Sequence, residues 1–266
     1  MDRVIEFLNL PSSVLEELNK LPKDVLGDRQ EEIIRKYTEP ENFEEATTYI
    51  LETLKDNDEN GLKQLKIIIE ASKITYQNYQ KLGISDEIFK ATFEFVPEAL
   101  EKHLKKKGVY GMEHTNWVGR ELSCLLFRLG TLEYEMFKLD DEIAISIHIP
   151  KGADLSNEAL DSSIQYSKEF FKKYFPKYYG VKYFCESWLM SPNLKYVLPE
   201  TSKILAFQNR FELKEFVEDG IGYKFFIFDD LNIEPKDFTE NTSLERNIKK
   251  FVLGGGKIGH AISVLK

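Results

Sequence analysis

Apolar positions in the first hundred residues recur in steps of three and four, the spacing of a helix with one buried face. Val4, Phe7 and Leu8 follow that spacing until Pro11 stops the run. Ser13 and Glu16 stand at capping-box spacing and predict the next helix start. Within residues 42–55, Ile50, Leu51 and Leu54 share a face, and Leu62, Leu65, Ile68 and Ile69 repeat the pattern. Ser85 is placed to cap one long helix with the stripe Phe89, Phe93, Val96, Leu100 and Leu104. Lys105, Lys106 and Lys107 then suit the negative end of that helix, and Gly108 suits its left-handed cap. These residues predict an all-α domain over 1–108, with 108–116 as a linker to a second domain over 109–266.

Past Trp117 the period changes. Residues 125–137 predict one or two strands around Gly130. Residues 142–150 alternate: Ile143, Ile145, Ile147 and Ile149 take one face, and Ala144, Ser146 and His148 take the other. A helix is expected over 156–175, stopped by Pro176, and a strand over 183–190. Ser191-Pro192 opens a short helix to about residue 198. Residues 204–216 and 223–229 read as a long hairpin with Gly220 and Gly222 in its turn. Thr242 and Glu245 repeat the capping-box spacing, and 261–265 is a last strand. Strands interspersed with helices predict an α/β domain with a mixed sheet behind the helical one.

Composition narrows the function. With 36 Lys and Arg against 45 Asp and Glu, the net charge of −9 disfavours nucleic acid or anionic membrane as partner. No apolar run reaches the roughly 20 residues of a membrane span, and Met1-Asp2-Arg3-Val4-Ile5-Glu6 lacks a signal-peptide layout. Cys124 and Cys185 are too few for a disulfide framework and suit a reducing, cytoplasmic setting. The histidines His103, His114, His148 and His260 show no local metal-ligand spacing, so no metal is expected. Gly254, Gly256 and Gly259 satisfy G-x-G-x-x-G, but they follow a helix and precede a strand, the reverse of a dinucleotide loop. A nucleotide-binding oxidoreductase therefore ranks last. Cys185, mid-strand, reads as a buried inert thiol.

Two places carry chemistry. The turn from Ile149 to Ser156 leads from a strand into a helix start, where free amides and the helix dipole suit phosphate. Gly152 and Ala153 allow close approach of a ligand, Lys151 adds a charge, and Asp154 opposes an anion unless turned away. The second place is a sheet surface. Glu133 and Glu135 share a face, with His148 on the following strand and Glu186 on the one after. Carboxylates and an imidazole in one cluster suit general-base chemistry; strand glutamates that simply face water are the alternative.

The segments Arg128-Leu129-Gly130-Thr131-Leu132-Glu133-Tyr134-Glu135, Ile147-His148-Ile149-Pro150-Lys151-Gly152-Ala153-Asp154-Leu155, Glu186-Ser187-Trp188-Leu189-Met190-Ser191-Pro192 and Ile204-Leu205-Ala206-Phe207-Gln208 resemble a bacterial acyltransferase family. Its members join a helical N-acyltransferase N-terminal domain to a GNAT-like C-terminal domain. The resemblance implies acetyl-CoA or acyl-CoA as co-substrate and a small-molecule amine as acceptor. It places the pyrophosphate at the helix-start loop, at Ile149, Lys151, Gly152, Ala153 and Ser156, and the thioester between two strands that splay. It implies His148 or Glu186 as base, with Glu133 in the same cluster, and Tyr196 as a distant acid. The family's usual [QR]-x-x-G-x-[GA] signature is replaced here by His148-Ile149-Pro150-Lys151-Gly152-Ala153. That departure leaves a non-catalytic GNAT-like binding module, without CoA contacts, as the alternative.

Overall fold

The computed structural model describes residues 3–113, 115–139 and 142–266. His114, one of the four histidines, and Met1 and Asp2 of the N-terminal stretch lie outside the described residues. The chain forms two compact units, 1–129 and 130–266.

The first unit is helical: α1 (Arg3–Leu8), α2 (Ser12–Lys20), α3 (Gln30–Tyr37), α4 (Phe43–Leu54), α5 (Leu62–Leu82), α6 (Asp86–Thr92), α7 (Phe95–Lys107) and α8 (Gly119–Leu122), followed by the short strand β1 (Leu126–Leu129). Helix α5 is its axis. It buries Leu65, Ile68, Ala71, Ser72, Thr75 and Tyr79 and packs against α1, α2, α3, α4 and α8. The Asp58 carboxylate accepts the Lys63 and Gln64 amides at its start, each at 2.9 Å.

Three sequence expectations change in this unit. Ser13 lies inside α2, which starts at Ser12 behind Pro11. The single helix expected after Ser85 is two, α6 and α7. Pro97 is the reason: its ring collides with the carbonyl four residues back in a continuous helix, so the chain breaks at Phe93–Glu94 and restarts with Pro97 in a first turn. Gly108 does cap α7 at φ +76°. The chain beyond it, expected as a linker, stays with the helices. The Met112 amide donates to the Asn60 carbonyl at 2.8 Å, and Thr75 Oγ1 donates to the Leu122 carbonyl at 2.6 Å.

The second unit is a mixed sheet with helices. It comprises β2 (Leu132–Leu139), β3 (Glu142–His148), α9 (Asn157–Tyr174), β4 (Lys182–Ser187), α10 (Lys203–Gln208), β5 (Phe211–Val217), α11 (Gly222–Phe228), α12 (Ser243–Leu253) and β6 (His260–Leu265). The strand order is β2-β3-β4-β6-β5. Among the described pairings, only β3 and β4 run parallel. Helix α9 covers the face carrying Tyr134 and Tyr183: Tyr134 Oη lies 2.9 Å from Ser163 Oγ, and Ser167 Oγ donates to Tyr183 Oη at 3.3 Å.

The hairpin expected from 204–216 and 223–229 does not form. Residues 203–208 are helical because Ser202 caps them, its Oγ accepting the Ile204 amide at 3.2 Å. The aromatic run 222–228 has strand propensity but folds as α11 and packs Tyr223, Ile227 and Phe228 into a small core with Leu194, Phe238 and Ile248. Strand β5 pairs with β6 instead, from Phe211↔Leu265 to Val217↔His260. The capping box at the start of α12 is present: Thr242 Oγ1 accepts the Glu245 amide at 3.1 Å.

Candidate acyl-transfer site

The hydrogen-bonded register of β2 and β3 sets the site. Glu133 stands opposite His148, and Glu135 opposite Ser146. On a twisted antiparallel pair the diagonal neighbour is within reach of a long side chain. The contact forms on that diagonal, with His148 Nε2 at 2.8 Å from Glu135 Oε2. The Glu135 side chain is 7% exposed and His148 is 21% exposed. A carboxylate accepts when ionised, so in this contact Nε2 is the donor, and the second proton of an imidazolium goes on Nδ1. A carboxylate behind an imidazole fixes its tautomer and stabilises its protonated form, the arrangement of a general base.

Beside this pair the sheet opens. The parallel ladder joins Ala144–Ser146 to Lys182–Phe184. Strand β3 continues to His148 and β4 to Ser187, but among the described residues no pairing joins these ends. Beyond Phe184, β4 turns to β6, matching Cys185 with Ser263 and Glu186 with Ile262. An opening between two strand ends leaves backbone groups on the facing edges for a ligand to satisfy.

The loop from β3 to α9 borders this opening. Gly152 adopts φ +79°, and the Ala153 amide closes a turn onto the Pro150 carbonyl at 3.1 Å. Ser156 caps α9 by accepting the Ala159 amide at 3.4 Å. Asp154 is not turned away. Its carboxylate accepts the Ser156 amide and hydroxyl, each at 2.9 Å, and meets Lys203 Nζ at 3.1 Å. The bonds from Ser156, with help from Lys203, hold its carboxyl down to about 2. Arg210 reaches the same helix end and pairs with Asp161, with its other nitrogen donating to Asn157 Oδ1 at 2.9 Å. Three cations, Lys151, Lys203 and Arg210, therefore belong to the loop or to elements bound to this helix start.

The remaining predicted residues fall elsewhere. Glu186 does not join His148; it faces His260, with Nε2 at 3.6 Å from Oε1. Glu133 holds the register position opposite His148. Tyr196 is 63% exposed and stacks on Phe251 with ring centroids 5.7 Å apart. Ile149 leaves β3 immediately after His148. Cys185 is buried, and burial pushes its thiol up to about 12, as befits an inert group. The sequence reading missed Lys203, Arg210 and His260 and did not single out Glu135 as the partner of His148. The pairing of β2 with β3 decides it, because with Ser146 opposite Glu135 the imidazole of His148 falls on the diagonal; no local sequence signal states that register.

A helix-backed mixed sheet with one parallel pair that parts at its ends is the GNAT-like acyltransferase fold. The chain belongs to that family: the description "GNAT-like C-terminal domain" matches residues 126–265, and "N-acyltransferase N-terminal domain" matches residues 1–124. A crystal structure of an acyltransferase in complex with decanoyl-CoA and teicoplanin is similar over 100% of this chain and 98% of its own, with TM-score 0.72 and 20% identity. An acyltransferase complex with CoA and 10C-teicoplanin gives TM-score 0.71 at 20% identity, covering 100% of this chain and 98% of that one. An acyltransferase mutant in complex with octanoyl-CoA gives the same TM-score, identity and coverages. Among the curated proteins none matches the chain. No helix among the described residues is long and apolar enough to cross a membrane.

Proposed function

We propose that this chain is an acyl-CoA-dependent N-acyltransferase that moves an acyl group from a CoA thioester to an amine. The observation that carries the reading is the parting of β3 and β4 beyond Ser146 and Phe184, with the His148–Glu135 pair on one side of the opening. Similar folds that bind CoA, decanoyl-CoA or octanoyl-CoA support it.

In this reading the loop around Lys151, Gly152 and Ala153, capped by Ser156, receives the pyrophosphate, with Lys203 and Arg210 as further cations. Unpaired strand edges hold the thioester and stabilise the oxyanion of the addition intermediate. His148 Nδ1 takes the amine proton, and Glu135 stabilises the imidazolium. The imidazolium then protonates the departing thiolate, which leaves Tyr196 without a necessary part.

A second reading, a binding module without CoA contacts, draws on Asp154, whose carboxylate occupies the loop where an anion is to bind. Calorimetric titration with octanoyl-CoA separates the two. The transferase binds it, and at a hundredfold excess over Kd it gains about 2.7 kcal/mol of stability. The absence of both binding heat and thermal shift with every CoA thioester from acetyl- to decanoyl-CoA refutes the transferase.

A further inference from the structure

The two lips of the opening carry different groups. His148 lies two residues past Ser146, and Glu186 two past Phe184, so they hold equivalent places on the two parting strands. Both belong to the sheet face opposite α9. His148 already has a buried carboxylate of its own in Glu135. Glu186 is therefore not needed as base, and its side chain, 52% exposed, stands on the other lip. His260 backs it from β6, and its ring is boxed in: a Cβ added at Gly220 lies 2.2 Å from Nδ1. The turn after β5 thus fixes the ring, and the ring addresses the carboxylate. Along the same row, Glu133 stands opposite His148, and Glu215 opposite Ile262, the partner of Glu186.

We infer that Glu186, held in place by His260, binds the acceptor, and that the acceptor arrives as an ammonium ion. This rests on the acyltransferase reading above. An exposed carboxylate across the opening from the imidazole base attracts a cationic nitrogen and leaves its proton facing that base. The ammonium gives one proton to His148 Nδ1. The nitrogen lone pair bonds to the thioester carbon, and the C–S bond breaks with its electron pair going to sulfur. The imidazolium proton passes to that sulfur, and the second nitrogen proton leaves to water. The sum is ammonium plus acyl-CoA giving amide, free CoA thiol and one proton. Glu186 stabilises the positive nitrogen before and during addition. His260 is a positioning residue.

The test uses octanoyl-CoA with two primary amines, tryptamine and spermidine, and with tryptophol, which replaces the tryptamine ammonium by a hydroxyl. Products are read by mass spectrometry and thiol release by absorbance. The expected result is octanoyl amide from an amine and no ester from tryptophol. Glu186→Gln raises the amine KM about tenfold, the loss of one charge contact, with a much smaller change in kcat. His260→Asn and Gly220→Ala raise KM in the same direction, and octanoyl-CoA binding by calorimetry stays as in the wild type. A chain that binds octanoyl-CoA yet acylates neither amine, or acylates tryptophol equally well, overturns the inference. So does an amine KM indifferent to Glu186→Gln. Failure to bind octanoyl-CoA instead overturns the transferase reading itself.

Discussion

Removing either partner of the His148–Glu135 pair tests whether it acts as one unit. The contact is 2.8 Å long and its carboxylate is 7% exposed, so solvent screens it little. A hydrogen bond to a charged group contributes about 1.5–3 kcal/mol. His148→Leu takes the imidazole from a buried carboxylate, and Glu135→Leu takes the carboxylate from the imidazole. Each single variant is expected to lose about 2 kcal/mol, and the double variant about the same rather than twice as much. The coupling, read from a double-mutant cycle, is then about 2 kcal/mol. Urea unfolding followed by tryptophan fluorescence is suited to it, because Trp188 begins the turn that follows β4 in the same unit. Single and double losses that add to within about 0.5 kcal/mol refute a coupled pair. The base would then have no fixed tautomer.

Other outcomes follow from the same contacts. Asp154→Asn removes the negative charge that competes with a phosphate at the α9 start, so octanoyl-CoA binds more tightly by calorimetry; unchanged or weaker binding contradicts this. Gly119→Ala puts a Cβ 2.4 Å from the Phe43 ring, and such overpacking lowers stability by about 1–3 kcal/mol in thermal melts. Thr239, the Asn241 amide and Thr242 hold the Glu245 carboxyl below its ordinary value. A lowered folded value stabilises the protein above the unfolded value of a glutamate and loses that contribution as pH falls through the folded one. Glu245→Gln therefore flattens the acid side of the stability profile, and an acid limb as steep as the wild type's argues against it.

Much of the fold was legible because burial imposes a period. The stripe in α5, the alternation of β3 and the Thr242–Glu245 box each state their element locally. The errors arose where a local signal met a competitor. Pro97 divided a stripe whose apolar spacing runs on unbroken. The Phe-rich stretch 222–228 has strand propensity, yet a second core took it as a helix. The site was half legible. Alternation put His148 on a polar face and placed the loop at Lys151 before a helix. Which carboxylate meets His148 depended on register, and Glu186 met His260 because β6, last in the chain, pairs with β4. Lys203 and Arg210 gave no local signal, since only tertiary folding brings them to the α9 start.

The most direct measurement is amide-resolved hydrogen exchange with and without octanoyl-CoA. A transferase whose thioester lies between β3 and β4 gains protection at 151–158 and along 185–187, with the rest of the sheet little changed. Protection confined to other segments, or none at saturating octanoyl-CoA, contradicts the opening as the acyl-transfer site.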